Sequence, residues 1–425
     1  MLLLKILGGF PLVGNIPISG SKNASLPLIV ASILTKEKCR LTNLPDILDV
    51  KNIATLLESI GAKIAFEPNR QAADFLCANL THNVDIATAR TTRASMWCLG
   101  ALLTRLGRAR IANPGGCDLG RKMDLHFQVL ESMGARIEED EGIISAVARK
   151  GLFGTKFTFK TRSVGATINA IMAAVLAKGE TSLSNCAQEP EVKDLCSALQ
   201  TMGAQIYGIG DSKIEINGVN TLCGITHKVI GDRLEAGTYA IATAITHGNT
   251  ILQNIEFDLL SNVYESFEKV GIILEKINDC SIKVSCTEIL KGCDINASPH
   301  PAFPTDLQPI FTSLMCTAHG TSKILENVHS SRFLYTQELR KMGANIIIDN
   351  SNTAAIVSGV PSLRGSYVKA HDLRGGAALL VAALAAKGET VIQSAEKIYR
   401  GYQNIEVNLS NCGAQIQKET LKASN

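Results

Sequence analysis

Glu58-Ser-Ile-Gly-Ala-Lys-Ile64 sets the plan of this chain, because it returns five more times. The copies are Glu131-Ser-Met-Gly-Ala-Arg-Ile137, Gln200-Thr-Met-Gly-Ala-Gln-Ile206, Glu268-Lys-Val-Gly-Ile-Ile-Leu274, Arg340-Lys-Met-Gly-Ala-Asn-Ile346 and Ser410-Asn-Cys-Gly-Ala-Gln-Ile416. Their glycines, from Gly61 to Gly413, are spaced by 73, 69, 68, 72 and 70 residues. A fixed period of this size means repeated copies of one supersecondary unit. Each phrase reads as a helix end, a glycine in the left-handed region, and a strand. Ile53, Leu56, Leu57 and Ile60 give the preceding segment its helical spacing.

A second pattern lies upstream of the phrase: a small-residue apolar helix, a glycine turn, and a strand running into Asn. Ala170–Lys178 with Gly179 and Ser182–Asn185 is one copy, and Leu379–Lys387 with Gly388 is another. These helices are Ala-rich and nearly uncharged, so they are expected to be buried on all sides. A module then reads as strand–helix–strand–helix–strand. The predicted fold class is α/β, with six modules divided into two domains of three. The first domain spans 22–230 and includes the loop 114–122. The second combines 1–21 with 231–425, because the opening strand, Leu4–Ile18, has no helix of its own. A cleft between two such domains is a usual place for a ligand.

Composition narrows the function. The net charge of +3, with 46% hydrophobic and 19% charged residues, gives no basic footprint for nucleic acid. No apolar run reaches the ~18 residues that span a bilayer, and Leu2–Leu4 is too short for a signal peptide. Twelve cysteines are scattered singly with no Cys-x-x-Cys pair, which argues against zinc and against a disulfide framework. The expected location is cytoplasmic.

The loop Pro114–Lys122 departs from the repeat. It places Cys117 near Arg121 and Lys122, and nearby cations make a thiol reactive. A surface turn with an incidental cysteine is the other reading. Lys22 follows a capping Ser21 at a helix start, a ready anion site, or else a solvated first-turn lysine. Arg93, Ser163 and Arg374 recur at the starts of equivalent helices. Ser298–Asp306, with three prolines, aims Asp306 either at a ligand or at the next helix as its N-cap.

Taken together, Ile18-Ser-Gly-Ser-Lys-Asn-Ala24, Arg93-Ala-Ser-Met-Trp97, Pro114-Gly-Gly-Cys117, Ser163-Val-Gly-Ala-Thr167, Pro299-His-Pro-Ala-Phe-Pro-Thr-Asp306, Asp372-Leu-Arg374 and Arg400-Gly-Tyr402 resemble the enolpyruvyl transferases along the whole chain. The resemblance implies a two-domain inverted α/β prism, an inside-out barrel, that closes on UDP-N-acetylglucosamine and phosphoenolpyruvate. It implies transfer of the enolpyruvyl group to the sugar 3′-hydroxyl, the first committed step of peptidoglycan synthesis, with no metal or organic cofactor. By motif, Cys117 is similar to the loop general acid, and Asp306 to the group at the sugar hydroxyl. Lys22, Arg121 and Arg400 match the phosphate clamp, with Lys122 competing for the role of Arg121 because the loop is one residue short. Arg332 and Arg374 match carboxylate partners. Asn23, Arg93, Ser163, Val164, Gly165 and Val328 match nucleotide-sugar contacts, and Asp372 adds a further carboxylate. Leu48, Thr161, Ser330 and Lys397 depart from the pattern. They leave open a paralogue with another acceptor, or a binding protein on the same scaffold. The shikimate-type transferase lacks the Pro-Gly-Gly-Cys loop.

Overall fold

The computed structural model describes residues 2–114, 123–329 and 332–420. The chain divides into two compact units, Gly20–Ile230 and Met1–Ser19 with Gly231–Asn425, each with its own hydrophobic core.

The repeat is built as the phrase suggests. All six central glycines have positive φ, between 92° and 104°. In each copy the chain turns there from an outer helix into a strand, as after Leu48–Ser59 and before Lys63–Glu67. A Cβ at such a φ would strain the backbone, which is why the phrase keeps glycine. The Asn that ends the upstream strand has its own cause. Asn43, Asn185 and Asn254 all take positive φ, and each side-chain amide donates to a backbone carbonyl, of Val229, Phe159 and Ile18 respectively. Asn tolerates this conformation because its short amide can bond locally.

The inner helices are Lys22–Ala31, Trp97–Leu106 and Val164–Ala174 in one unit, and Arg233–Ile245, Gln308–Met315 and Leu373–Ala385 in the other. Arg233–Ile245 is buried along its whole length, and Val164–Ala174 from Ala166 onward. In each unit the inner helices pack against one another. Small residues permit the approach. A Cβ at Gly100 would come within 2.5 Å of Asn169 Oδ1, which instead accepts the Gly100 N–H at 3.0 Å.

Two expectations need correction. Most sheets contain four strands, so a module has one strand more than the pattern suggests. In the sheet around Glu180–Ser184, that strand pairs in parallel with Lys156–Thr158 and antiparallel with Lys213–Asn217, which pairs with Gln205–Tyr207. The added strand is the second arm of a hairpin, whose turn breaks the alternation that would reveal it. The opening segment is also two strands, Leu2–Leu7 and Val13–Pro17. Gly8, Gly9 and Pro11 break it: Gly9 has φ 95°, and a Cβ on Gly8 would meet Ala383 O at 2.3 Å. Leu2–Leu7 lies between Glu389–Gln393 and Gln415–Thr420, completing the sixth module's sheet with the first strand of the chain. Val13–Pro17 pairs in parallel with Asn249–Gln253, while Thr226–Lys228 pairs in parallel with Lys38–Thr42. Each unit therefore closes a sheet with a strand distant in sequence from its partner. Among the described residues no helix is long and apolar enough to cross a membrane.

Candidate active site

Within Gly20–Ile230, the residues singled out from the sequence lie at starts of inner helices. Ser21 caps Lys22–Ala31 by accepting the Ala24 N–H, as its position suggests. Lys22 is the first helical residue, and its Nζ lies 3.3 Å from Asp49 Oδ2, with both side chains largely buried. Asp49 occupies the first turn of the outer helix Leu48–Ser59, where a carboxylate also suits the helix dipole. Asn23 is half-buried beside Lys22. Ser163 caps Val164–Ala174 by accepting the Ala166 N–H at 3.3 Å, and Val164 and Gly165 form the first turn. Trp97 Nε1 donates to Gly165 O at 3.0 Å, and Arg93 opens the short turn before Trp97.

The sequence reading missed His126. Its ring is buried, Nδ1 accepts from Asn169 Nδ2 at 3.2 Å, and a Cβ on Gly165 would sit 3.2 Å from Nε2. Burial, and then the Arg93 charge, push its pKa down to about 3, so the imidazole stays neutral. A neutral ring can fix the Gly165 turn without adding a cation. A lone His on an outer helix carries no sequence signal for this role.

Within the other unit, Asp306 is the centre of a charged cluster. Its Oδ1 accepts from Arg332 Nη2, and its Oδ2 accepts from Arg374 Nη2 at 3.1 Å. The two arginine side chains are only 3% and 5% exposed, against 23% for the carboxylate. Burial disfavours charge on Arg374, but Asp306, Tyr402 and Asp232 outweigh that and hold the guanidinium protonated. Arg374 Nη1 donates to Tyr402 Oη at 3.2 Å, and Tyr402 Oη lies 2.8 Å from Thr238 Oγ1. The N-cap alternative for Asp306 does not hold: Leu307 stands at the N-cap of Gln308–Met315, and no side chain caps it. The Nε of both Arg332 and Arg374 is buried without a hydrogen-bond acceptor among the described residues.

Asp372 takes a local part. Its Oδ1 accepts from the Arg374 and Gly375 backbone N–H groups at 2.8 and 2.9 Å, capping Leu373–Ala385 and so placing Arg374. Val328 is partly exposed after the strand Thr321–Glu326, and Arg400 ends the turn Ala395–Arg400. Cys117, Arg121, Lys122 and the Ser330-Ser331 pair lie outside the described residues. Of the other departures, Leu48 is 45% exposed and Thr161 is exposed. Arg162 donates to Asn185 Oδ1 at 3.3 Å. Lys397 Nζ donates to His371 O at 2.7 Å, next to the Asp372 cap.

A family model described as EPSP synthase (3-phosphoshikimate 1-carboxyvinyltransferase) matches residues 6–409. The chain belongs to this family of enolpyruvyl transferases. Relatives named UDP-N-acetylglucosamine 1-carboxyvinyltransferase, from Rickettsia africae and Rickettsia akari, are 44% and 45% identical to this transferase, over 98% of its length and 99% of theirs. The solved enolpyruvyl transferase NikO from Streptomyces tendae superposes on it with a TM-score of 0.90 at 23% identity, covering 99% of both chains. EPSP synthase from Acinetobacter baumannii gives 0.77 at 18% identity, covering 99% of this chain and all of its own. These likenesses show the inside-out two-domain α/β fold of the transferase.

Glu235 is a further buried acid of the enolpyruvyl transferase that the sequence reading passed over. The spacing Asp232-Arg-Leu-Glu235 is that of a capping box, and Asp232 does cap Arg233–Ile245. Glu235 instead accepts from Ser19, from its N–H at 2.8 Å and its hydroxyl at 3.4 Å. Burial, and next the Asp232 charge, push its carboxyl up to about 8. An unfolded glutamate titrates near ~4.3. Between these values the folded chain holds a proton that the unfolded chain has lost, so this group's contribution falls as pH rises through the window. Glu235→Gln is expected to gain thermal stability relative to the parent from pH 5 to pH 8, then to level off. Melting curves of both proteins at each pH check this; a constant difference would remove Glu235 from the linkage.

Proposed function

We propose that this chain transfers the enolpyruvyl group of phosphoenolpyruvate to the 3′-hydroxyl of UDP-N-acetylglucosamine, releasing phosphate, in the first committed step of peptidoglycan synthesis. Full-length identity of 44% to relatives named for that activity carries the reading. The Asp306 cluster supports it chemically.

Addition forms a bond from the sugar oxygen to C2 of phosphoenolpyruvate, the hydroxyl gives up its proton, and C3 gains one. Elimination then breaks the C2–O bond to phosphate and returns a proton from C3, restoring the double bond. In this scheme Asp306 receives the hydroxyl proton and Cys117 supplies the one at C3. Lys22, Arg400 and either Arg121 or Lys122 hold the phosphate group. Arg332 and Arg374 meet the substrate carboxylate with N–H donors that Asp306 does not use. Asn23, Arg93, Ser163, Val164, Gly165 and Val328 contact the nucleotide sugar. No metal or organic cofactor enters the scheme. The cytoplasm is the proposed location, because the eleven cysteines among the described residues are all free thiols.

The test is phosphate release from phosphoenolpyruvate with UDP-N-acetylglucosamine, shikimate 3-phosphate or no acceptor. Turnover is expected with the first alone. Release only with another acceptor assigns the chain to a paralogous activity, as the departures at Leu48, Thr161 and Lys397 would then indicate. Tight binding of the nucleotide sugar without release marks a non-catalytic protein.

A further inference from the structure

Glu326 ends the strand Thr321–Glu326 and is 1% exposed. Three donors converge on its carboxylate. Oε2 accepts from Thr305 Oγ1 at 2.8 Å. Oε1 accepts from the backbone N–H groups of Val328 at 2.8 Å and His329 at 2.9 Å. Thr305 precedes Asp306 on the proline-rich arm, and its carbonyl accepts from Arg332 Nη2 at 3.0 Å. One buried side chain therefore links the arm that carries Asp306 to the loop that carries Val328. The two segments leave neighbouring strands, with Ala297 paired to Glu326, and Asn327 joins their bases by donating its N–H to Ala297 O at 2.9 Å and its amide to Ser298 Oγ at 3.2 Å. Glu326 makes the side-chain link farther along the arm, at Thr305.

We propose that Glu326 is a positioning residue for the acceptor sugar, holding the Asp306 arm and the Val328 loop at the separation that the sugar requires. This rests on the assignment of Asp306 and Val328 to the acceptor given under the proposed function. The chemistry of the group is specific. A carboxylate accepts on both oxygens, which suits three donors. An alanine leaves two backbone N–H groups and a hydroxyl without their acceptor, and the segments keep only the link at their bases through Asn327. A glutamine keeps its carbonyl oxygen for the two N–H groups, while its amide can donate to a turned Thr305 hydroxyl. The conservative change should therefore rescue most of the function.

The test measures the dissociation constant for UDP-N-acetylglucosamine by calorimetry, and steady-state KM and kcat, for the intact chain, Glu326→Ala, Glu326→Gln and Thr305→Val. Glu326→Ala is expected to weaken acceptor binding about tenfold, with KM for phosphoenolpyruvate little changed. Glu326→Gln should stay within about threefold of the parent. Thr305→Val removes only the bond from the arm to Glu326, leaving the loop's bonds to it intact, so kcat should fall about fivefold with acceptor binding nearly intact. The inference is overturned if Glu326→Ala binds the acceptor like the parent, or if it loses affinity for both substrates equally along with thermal stability. If Glu326→Ala does not fold, Thr305→Val decides the matter, and an unchanged kcat overturns the proposal. A parent chain that neither binds nor uses UDP-N-acetylglucosamine fails at the earlier step, and the assignment on which this inference stands falls with it.

Discussion

Asp306→Asn should lose activity by about a hundredfold or more and also destabilise the unit that holds it. Both oxygens of Asp306 are engaged by guanidinium groups whose side chains are at most 5% exposed. An amide offers one acceptor and turns its NH₂ toward the other guanidinium, a donor facing a donor. Two buried cations then share no anion. Removing one partner from a buried ion pair typically costs about 3–5 kcal/mol, which corresponds to a drop in melting temperature of about 10 °C in a unit of this size. The catalytic loss has a separate origin, since the amide cannot receive the hydroxyl proton. Thermal melts and phosphate-release kinetics on the same preparation separate the two. A variant with parental turnover would remove Asp306 from the reaction, and one with parental stability would show that Tyr402 and Asp232 suffice to hold Arg374.

The second large effect is expected at Cys117. Cys117→Ala should slow turnover about a thousandfold, because the general acid at C3 is gone. Cys117→Ser should be nearly as slow, since a hydroxyl gives up its proton far less readily than a thiol. Nucleotide-sugar binding should survive in both, because none of the proposed sugar contacts is altered. The separation matters: lost binding would mean that the loop builds the site, whereas lost chemistry alone supports the acid role. Near-parental rates in both variants would exclude Cys117 from the mechanism.

Legibility from the sequence followed the range of the interactions. Ser21 is a cap whose partner lies three residues away, and its position in the motif showed it; Ser163, singled out as a sugar contact at a helix start, caps in the same way. Asp372 was singled out as a carboxylate near the substrate, and its two bonds to the next turn also seat Arg374. Glu235, His126 and Glu326 were not found. Their partners include Ser19, Asn169 and Thr305, which are 216, 43 and 21 residues away, and no local spacing encodes such pairs.

The order of modules, the six glycine turns and the apolar inner helices were set by the sequence alone, because each depends on residues within a turn or two of chain. The tertiary structure decided the rest. It supplied the first strand of the chain to the last sheet, and it buried two arginines against one aspartate drawn from 26 and 68 residues away. It also moved the Glu235 proton into the neutral range. Those outcomes depend on which groups share a low-dielectric interior, and that is fixed only when distant modules pack.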